Sequence, residues 1–310
     1  MMLHTVIRYL SAAGILFALW FLARHGTGGL ESLVLVSPWK LFLSVTVLVG
    51  VFHVRAWMWL HFLRRCGLPI GYRSAVVSRF RPILAKYVPG KIWVVMGAAE
   101  SITPLAGSFR QSVVLTVCFQ FSLILSGLLT GAAGLVVLGF PAFLSQGITV
   151  LAGAILGGAG LVLVSSRTMT RAVLKKIAAS DARGGAALTV PSMIPTHILG
   201  IPQWMATGWA FELFFESLGG HSGGYALFYQ PVAQVAGTVF ALTPGGLGTR
   251  EAFMTGYLGL AGMSLGLAGA LALAARLWFL GVETILFAIG WFLGATSGTA
   301  KQSPARRPDR

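Results

Sequence analysis

Leu267 to Ala295 reads LAGALALAARLWFLGVETILFAIGWFLGA, and this stretch decides the fold. About 20 mainly apolar residues make a helix long enough to cross the hydrocarbon core of a bilayer. This run passes that length with two charged residues inside it, Arg276 and Glu283. A charge near the bilayer centre costs at least roughly 2.5 to 3.5 kcal/mol on insertion scales. Each therefore has to face protein or water. The two are seven apart, on one helix face and two turns from each other. That spacing is too long for an i,i+4 pair, so partners on other helices are expected.

Seven more apolar segments precede it: Thr5 to Ala23, Trp39 to Leu63, Gln111 to Leu138, Gly147 to Ser165, Ser192 to Leu218, Gly224 to Leu242 and Glu251 to Leu265. The chain has 310 residues, 56% hydrophobic and only 10% charged, with a mean hydropathy of +0.81. An ordinary soluble domain carries roughly 25% charge. The reading is an all-α polytopic membrane protein of about eight transmembrane segments, with no soluble part large enough for an active site. The membrane domain is expected over residues 1–296, followed by a disordered basic cytoplasmic tail over 297–310. The first segment is long enough to span and lacks a clean small-residue cleavage site, so it reads as a transmembrane helix and not a signal peptide. The segment from Glu251 is too short to cross unaided and reads as half of a broken helix.

A formal net charge of +15, from 23 Lys and Arg against 8 Asp and Glu, would suggest nucleic acid in a soluble protein. Here the cations gather beside apolar segments: Arg64, Arg65, Arg73, Arg79 and Arg81; Arg167, Arg171, Lys175, Lys176 and Arg183; Lys301, Arg306, Arg307 and Arg310. Cytoplasmic loops retain Lys and Arg. No nucleic-acid partner is implied, and both termini are expected in the cytoplasm. Parity is kept if the segments from Gly224 and Glu251 form a re-entrant pair instead of two crossings. Cys66 and Cys118 have no metal or disulfide spacing, and His53, His61, His197 and His221 have no spacing that builds a metal site. Neither a metal, a cofactor nor a catalytic group is indicated.

Two interruptions carry the candidate chemistry. Pro82 to Gly97, PILAKYVPGKIWVVMG, is apolar but broken by Lys86, Pro89, Gly90 and Lys91. It is too short to cross, and irregular backbone at membrane depth is tolerated only where it is buried in protein or lines a cavity. A re-entrant hairpin or interfacial helix is expected. Arg79, Arg81, Lys86, Tyr87, Pro89, Gly90, Lys91 and Trp93 form either an anionic headgroup site, through charge-assisted hydrogen bonds, or a basic and aromatic anchor at the interface.

The second interruption is Thr243, Pro244, Gly245, Gly246, Leu247, Gly248, Thr249, Arg250 and Glu251. Glycines permit close approach of a ligand, and the amides opening the next helix favour an anion. No preceding strand or Walker lysine accompanies it, which excludes a nucleotide loop. The alternative is a tight turn in which Arg250 and Glu251 neutralise each other. Arg55, Glu212, Glu216, Arg276 and Glu283 complete the intramembrane charges. Arg55, near Trp57 and Trp59, either lines a polar path or snorkels to the interface, and Glu216 reads as interfacial.

KYVPGKIW at Lys86 to Trp93, TPGGLGTREAF at Thr243 to Phe253 and ARLWFLGVE at Ala275 to Glu283, with Arg55, Trp57 and Trp59 before them, resemble the lysylphosphatidylglycerol synthase transmembrane family, flippase-like membrane proteins. The resemblance covers nearly the whole chain. It implies a bacterial inner-membrane domain that moves lipid between leaflets. Some members of the family carry a cytosolic aminoacyl-transferase domain, and this chain is expected to be a stand-alone member without one.

Two Gly/Pro-interrupted elements, one in each half and entering from opposite sides, point to inverted repeats and a site at their interface. The resulting expectation is a lipid translocase for an anionic phospholipid or a polyprenyl-phosphate-linked glycolipid. Arg55, Arg79, Arg81, Lys86, Tyr87, Pro89, Gly90, Lys91, Trp93, Pro244, Gly245, Gly246, Gly248, Arg250, Glu251 and Arg276 would bind substrate, with Glu212 and Glu283 balancing charge. Other stand-alone relatives are linked to envelope glycolipids. An integral membrane lipid-modifying enzyme, or a non-transporting assembly partner of an envelope glycosyltransferase, are the competing classes.

Overall fold

A computed structural model describes residues 33–87, 92–138, 190–239 and 248–298, and over them the chain is helical, with no strand. The segments Thr5 to Ala23 and Gly147 to Ser165 lie outside the described residues, as do 299–310 of the tail.

Helix α1, Pro38–Arg65, starts where Ser37 accepts a hydrogen bond from the Lys40 amide at 3.4 Å and Pro38 takes the first turn. Proline is tolerated there because its missing N–H would have no partner anyway. The helix stops at Gly67, whose φ of +86° lets the Leu68 amide return to the Leu63 carbonyl at 3.0 Å. Then come α2, Tyr72–Phe80, and a single 3-10 turn at Ile83–Tyr87. Helix α3, Ile92–Ala106, leads to α4, Phe109–Val137, capped by Ser108. Helices α5, Val190–Ser217, α6, Tyr225–Val239, α7, Thr249–Leu260, and α8, Leu265–Gly298, complete the described chain.

Among the described residues three helices are long and apolar enough to cross a membrane, within α1, α4 and α8. Helix α5 has 28 residues but dilutes its apolarity with Pro195, Pro202, Gln203 and Thr207. Helix α7 has 12 residues, about 18 Å at 1.5 Å per residue, well short of the roughly 30 Å hydrocarbon core. It packs against the 15-residue α6. The expected segment from Glu251 to Leu265 in fact ends at Leu260, because Gly262 turns the chain with φ of +88° before α8 begins. The expected hairpin from Pro82 to Gly97 is also longer on its second arm. Helix α3 continues to Ala106 because Ala98, Ala99, Ile102 and Ala106 present a buried face, which the polar residues Glu100 and Ser101 obscure in a hydropathy reading.

Small residues bring the helices close. A Cβ at Gly131 of α4 would lie 2.3 Å from a methyl of Val232 on α6, and one at Gly208 of α5 would lie 2.3 Å from the Ala226 carbonyl oxygen. Close backbone approach through small residues is the usual packing device where lipid supplies no hydrophobic drive. Polar ties then fix neighbours. Trp59 donates to Ser78 at 3.0 Å (α1 to α2), Trp204 to the Leu123 carbonyl at 2.8 Å (α5 to α4), and Tyr257 to Gln230 at 2.6 Å (α7 to α6).

Two apolar clusters result. One joins the first part of α1 to α5, α6, α7 and α8, and the other joins the last turns of α1 to α3 and α4. One cavity takes wall residues from both.

Candidate anion-binding cavity

Four cations project from four separate elements into one cavity of about 310 Å³: Arg55 from α1, Arg79 from α2, Lys86 from the 3-10 turn and Arg250 from α7. Each reaches it for a local reason. On α1, Phe52, Arg55, Ala56 and Trp59 fall at helical spacing on one face, and Phe52, Ala56 and Trp59 are buried while Val54 and Trp57 are exposed. Arg55 therefore points inward. The interfacial snorkelling weighed from the two tryptophans does not occur, because Trp59 is a core residue and only Trp57 faces out.

On α7, Gly248 has φ of +84° and its amide donates to Glu251 at 2.8 Å, which closes the first turn and leaves Arg250 turned inward. Arg250 is 4% exposed. The elbow is drawn back on itself because Gly97 of α3 lies so close to Pro82 that a Cβ there would come within 2.8 Å of the proline Cβ.

The cations rest on aromatic rings. The Arg55 guanidinium carbon lies 5.0 Å from the Phe52 centroid and 4.9 Å from Trp204. Arg79 lies 5.7 Å from Trp59 and 5.3 Å from Phe119. Lys86 and Arg250 lie 4.8 and 4.5 Å from the centroid of the same ring, Phe279. All fall within the roughly 6 Å range of cation–π attraction. A guanidinium held on its face keeps its edge N–H groups available.

Those edges lack acceptors. Arg55 Nε, Arg250 Nε and Nη2, and Gln234 Nε2 are buried side-chain nitrogens with no hydrogen-bond partner among the described residues. Arg55, Arg79 and Arg250 also make no ion pair with a carboxylate there. Buried polar groups are nearly always satisfied, and a buried unpaired charge is costly. Four donor nitrogens from three helices are thus left without an acceptor among the described residues.

The carboxylates sit on α8 and α7. Glu283, 1% exposed, accepts from Lys86 and from Tyr87 Oη, the latter at 2.9 Å. Arg276 donates to Glu251 at 2.6 Å. Arg276, Phe279 and Glu283 lie on one face of α8, so this face carries the elbow at one level and α7 at the other. The expectation that Arg276 and Glu283 find partners on other helices is met.

Several expected roles change. Arg250 and Glu251 form no ion pair with each other. Neighbouring positions on a helix diverge by about 100°, so Glu251 reaches Arg276 while Arg250 faces the cavity. Arg276 is held beside Tyr87, 5.9 Å from its ring, and neither side chain is among those lining the cavity. Glu212 does not serve the cavity: it accepts from the Ser222 amide at 2.8 Å and the Ser222 hydroxyl, with His221 Nδ1 2.8 Å away. It therefore fixes the start of α6.

Arg81 packs on Trp291 at the exposed end of α8, 5.1 Å from the ring, because it caps α2 on the side away from the cavity. Trp93 is half exposed; its neighbours Val94 and Val95 line the cavity instead. Pro89, Gly90, Lys91, Pro244, Gly245 and Gly246 lie outside the described residues.

Three polar lining residues escaped the sequence reading: Gln120, Gln234 and Thr238. The signal was present as polar positions inside apolar helices, with Gln230, Gln234 and Thr238 four apart on one face of α6. Another missed grouping is Glu212, Glu216 and His221, whose ligand-type atoms lie within 4.8 Å of one another. The turn from α5 into α6 folds His221 back onto two glutamates four apart. Lys40 already supplies a cation there, 2.9 Å from Glu216.

The family model for the lysylphosphatidylglycerol synthase TM region matches residues 6–286, and the chain belongs to that family. No curated protein and no solved structure matches.

Proposed function

We propose that this membrane protein of the lysylphosphatidylglycerol synthase TM family is a lipid translocase, whose cavity passes an anionic lipid headgroup while the tails remain in the bilayer. The observation that carries this reading is the set of buried, acceptor-less donors on Arg55, Arg250 and Gln234. A mixed wall supports it too, since Val94, Val95, Leu123 and Val235 stand beside the cations. Such a wall suits a charged group travelling with apolar surroundings.

Arg55 lies about 15 Å along α1 from Arg65 at 1.5 Å per residue. The cavity thus reaches membrane depth from the end of α1 that carries the basic pair. With the basic loops in the cytoplasm of a bacterial inner membrane, the headgroup enters from the cytoplasmic side. Movement is downhill or ion-coupled, because the sequence carries no nucleotide-binding loop.

Translocation is favoured over lipid modification by Glu283, the one carboxylate lining the cavity among the described residues, which is held by Lys86 and Tyr87 and so is engaged rather than poised as a base. General base chemistry needs a group within reach of the proton it takes.

The test is reconstitution into liposomes with fluorescent anionic and zwitterionic lipids, followed by quenching from one side. Wild type is expected to move anionic lipid faster than zwitterionic lipid, and an Arg55→Ala, Arg250→Ala double variant to lose that movement. Equal rates for wild type and variant overturn the assignment. A modified lipid detected by mass spectrometry, with donor supplied and no movement seen, assigns the enzyme class instead.

A further inference from the structure

We infer that the cavity is built for a headgroup carrying two adjacent phosphates, a lipid diphosphate, in preference to a single phosphodiester. This rests on the translocase reading above and concerns which anion that site selects.

Charge is the first argument. Among the described residues four cations line the cavity against one carboxylate, Glu283, which is already engaged by Lys86. Three guanidinium groups, those of Arg55, Arg79 and Arg250, form no ion pair among the described residues. A monoanionic phosphodiester would leave two of them buried and uncompensated, which the low-dielectric interior penalises. A diphosphate diester brings two negative charges, and a diphosphate monoester brings up to three.

Placement is the second argument, because the cations fall into two groups. Lys86 and Arg250 share the ring of Phe279. Arg55 rests on Phe52, and Arg79 rests on Trp59, two turns along α1 from Phe52. The rings of Phe52 and Phe279 lie 5.9 Å apart, so the two groups are neighbours without coinciding. One phosphate at each group gives every cation an oxygen. The unpartnered edges are divided the same way, with Arg55 Nε in one group and Arg250 Nε and Nη2 in the other. Planar guanidinium edges match phosphate oxygens in pairs. A single phosphate satisfies one group and leaves the other as it is.

The same chemistry belongs to a lipid headgroup and to free diphosphate, and the experiment separates them. Binding to the purified full chain in detergent is measured by calorimetry for geranylgeranyl diphosphate, geranylgeranyl monophosphate, inorganic diphosphate and inorganic phosphate. An extra charge-assisted hydrogen-bonded phosphate should tighten binding at least about tenfold, so geranylgeranyl diphosphate is expected to bind at least that much tighter than the monophosphate with the same tail. Inorganic diphosphate is expected to bind more weakly than its prenyl ester.

Arg79→Gln is expected to bring the diphosphate to monophosphate ratio close to one. Because both ligands are read on the same preparation, a loss of folded protein cancels from the ratio. Equal affinity for the two prenyl ligands in wild type overturns the diphosphate assignment and leaves the translocase reading in place. Inorganic diphosphate binding as tightly as the ester overturns the lipid as source. Absence of binding by all four, together with no lipid movement in liposomes, overturns both.

Discussion

Charged and hydrogen-bonding residues gather in two places, at opposite ends of α1, and they are treated in opposite ways. Near its first turn, Lys40 pairs with Glu216 at 2.9 Å, His221 lies between Glu212 and Glu216, and Ser222 gives Glu212 both its amide and its hydroxyl. Every group there has a protein partner. Toward the other end, Arg55, Arg79 and Arg250 have aromatic faces beneath them and, among the described residues, no ion pair with a carboxylate. The same residue types thus do two jobs. Where donors and acceptors match, the cluster holds helices together; where donors exceed acceptors, the surplus is what the proposed anion would satisfy.

Four substitutions press on that contrast. Glu283→Ala is expected to have the largest effect, since it strands Lys86 and Tyr87 together. Breaking a buried pair costs about 3 to 5 kcal/mol, and with Lys86 28% exposed the low end applies. A clear drop in the detergent melting temperature is the readout, and an unchanged melt would mean that the elbow is not fastened to α8. Glu212→Ala comes next. It leaves the Ser222 amide without its acceptor, worth about 1 to 3 kcal/mol, and lipid movement per folded molecule should stay at the wild-type rate. Transport loss at full stability would move Glu212 from the first class to the second.

Arg250→Gln should do the reverse, lowering anionic-lipid movement at least about tenfold through lost charged hydrogen bonds while the melting temperature of the empty protein holds or rises. Removing a buried cation that lacks a partner relieves a penalty. A melt that falls with activity would make Arg250 a structural residue. Lys40→Ala should be smallest, under about 1 kcal/mol, as exposed pairs contribute little. Measuring it at two salt concentrations checks this, because a screened surface pair loses what effect it has at high salt.

The helices were legible because hydropathy reports what each segment touches along its length. Leu267 to Ala295 and Trp39 to Leu63 fall within described helices, and Gln111 to Leu138 does so but for its last residue. Boundaries were harder where burial is one-sided. Helix α3 hides behind Glu100 and Ser101, and α7 ends at a turn that a run of apolar letters conceals. Within the cavity, Arg55, Arg79, Lys86 and Arg250 could be named as isolated charges in apolar surroundings, since such residues must face something other than lipid.

Which carboxylate each would meet was not in the sequence. Glu283 lies far along the chain from Lys86, and Glu251, adjacent to Arg250, turns to Arg276 instead. Spacing on one helix can exclude a pair, as it did for Arg276 and Glu283, but only packing between helices assigns one. Glutamines were overlooked because they carry no charge, although Gln234 contributes one of the acceptor-less donors.

The bond from Lys86 to Glu283 spans 197 positions of chain, and that separation has a meaning in time. At roughly 5 to 20 residues per second, the ribosome emits the glutamate on the order of 10 to 40 s after the lysine. Throughout that interval the elbow must wait, its cation facing lipid headgroups or insertion machinery. The newborn protein cannot fasten its first interruption until its last described helix has arrived, so a chain cut short before α8 never makes this contact.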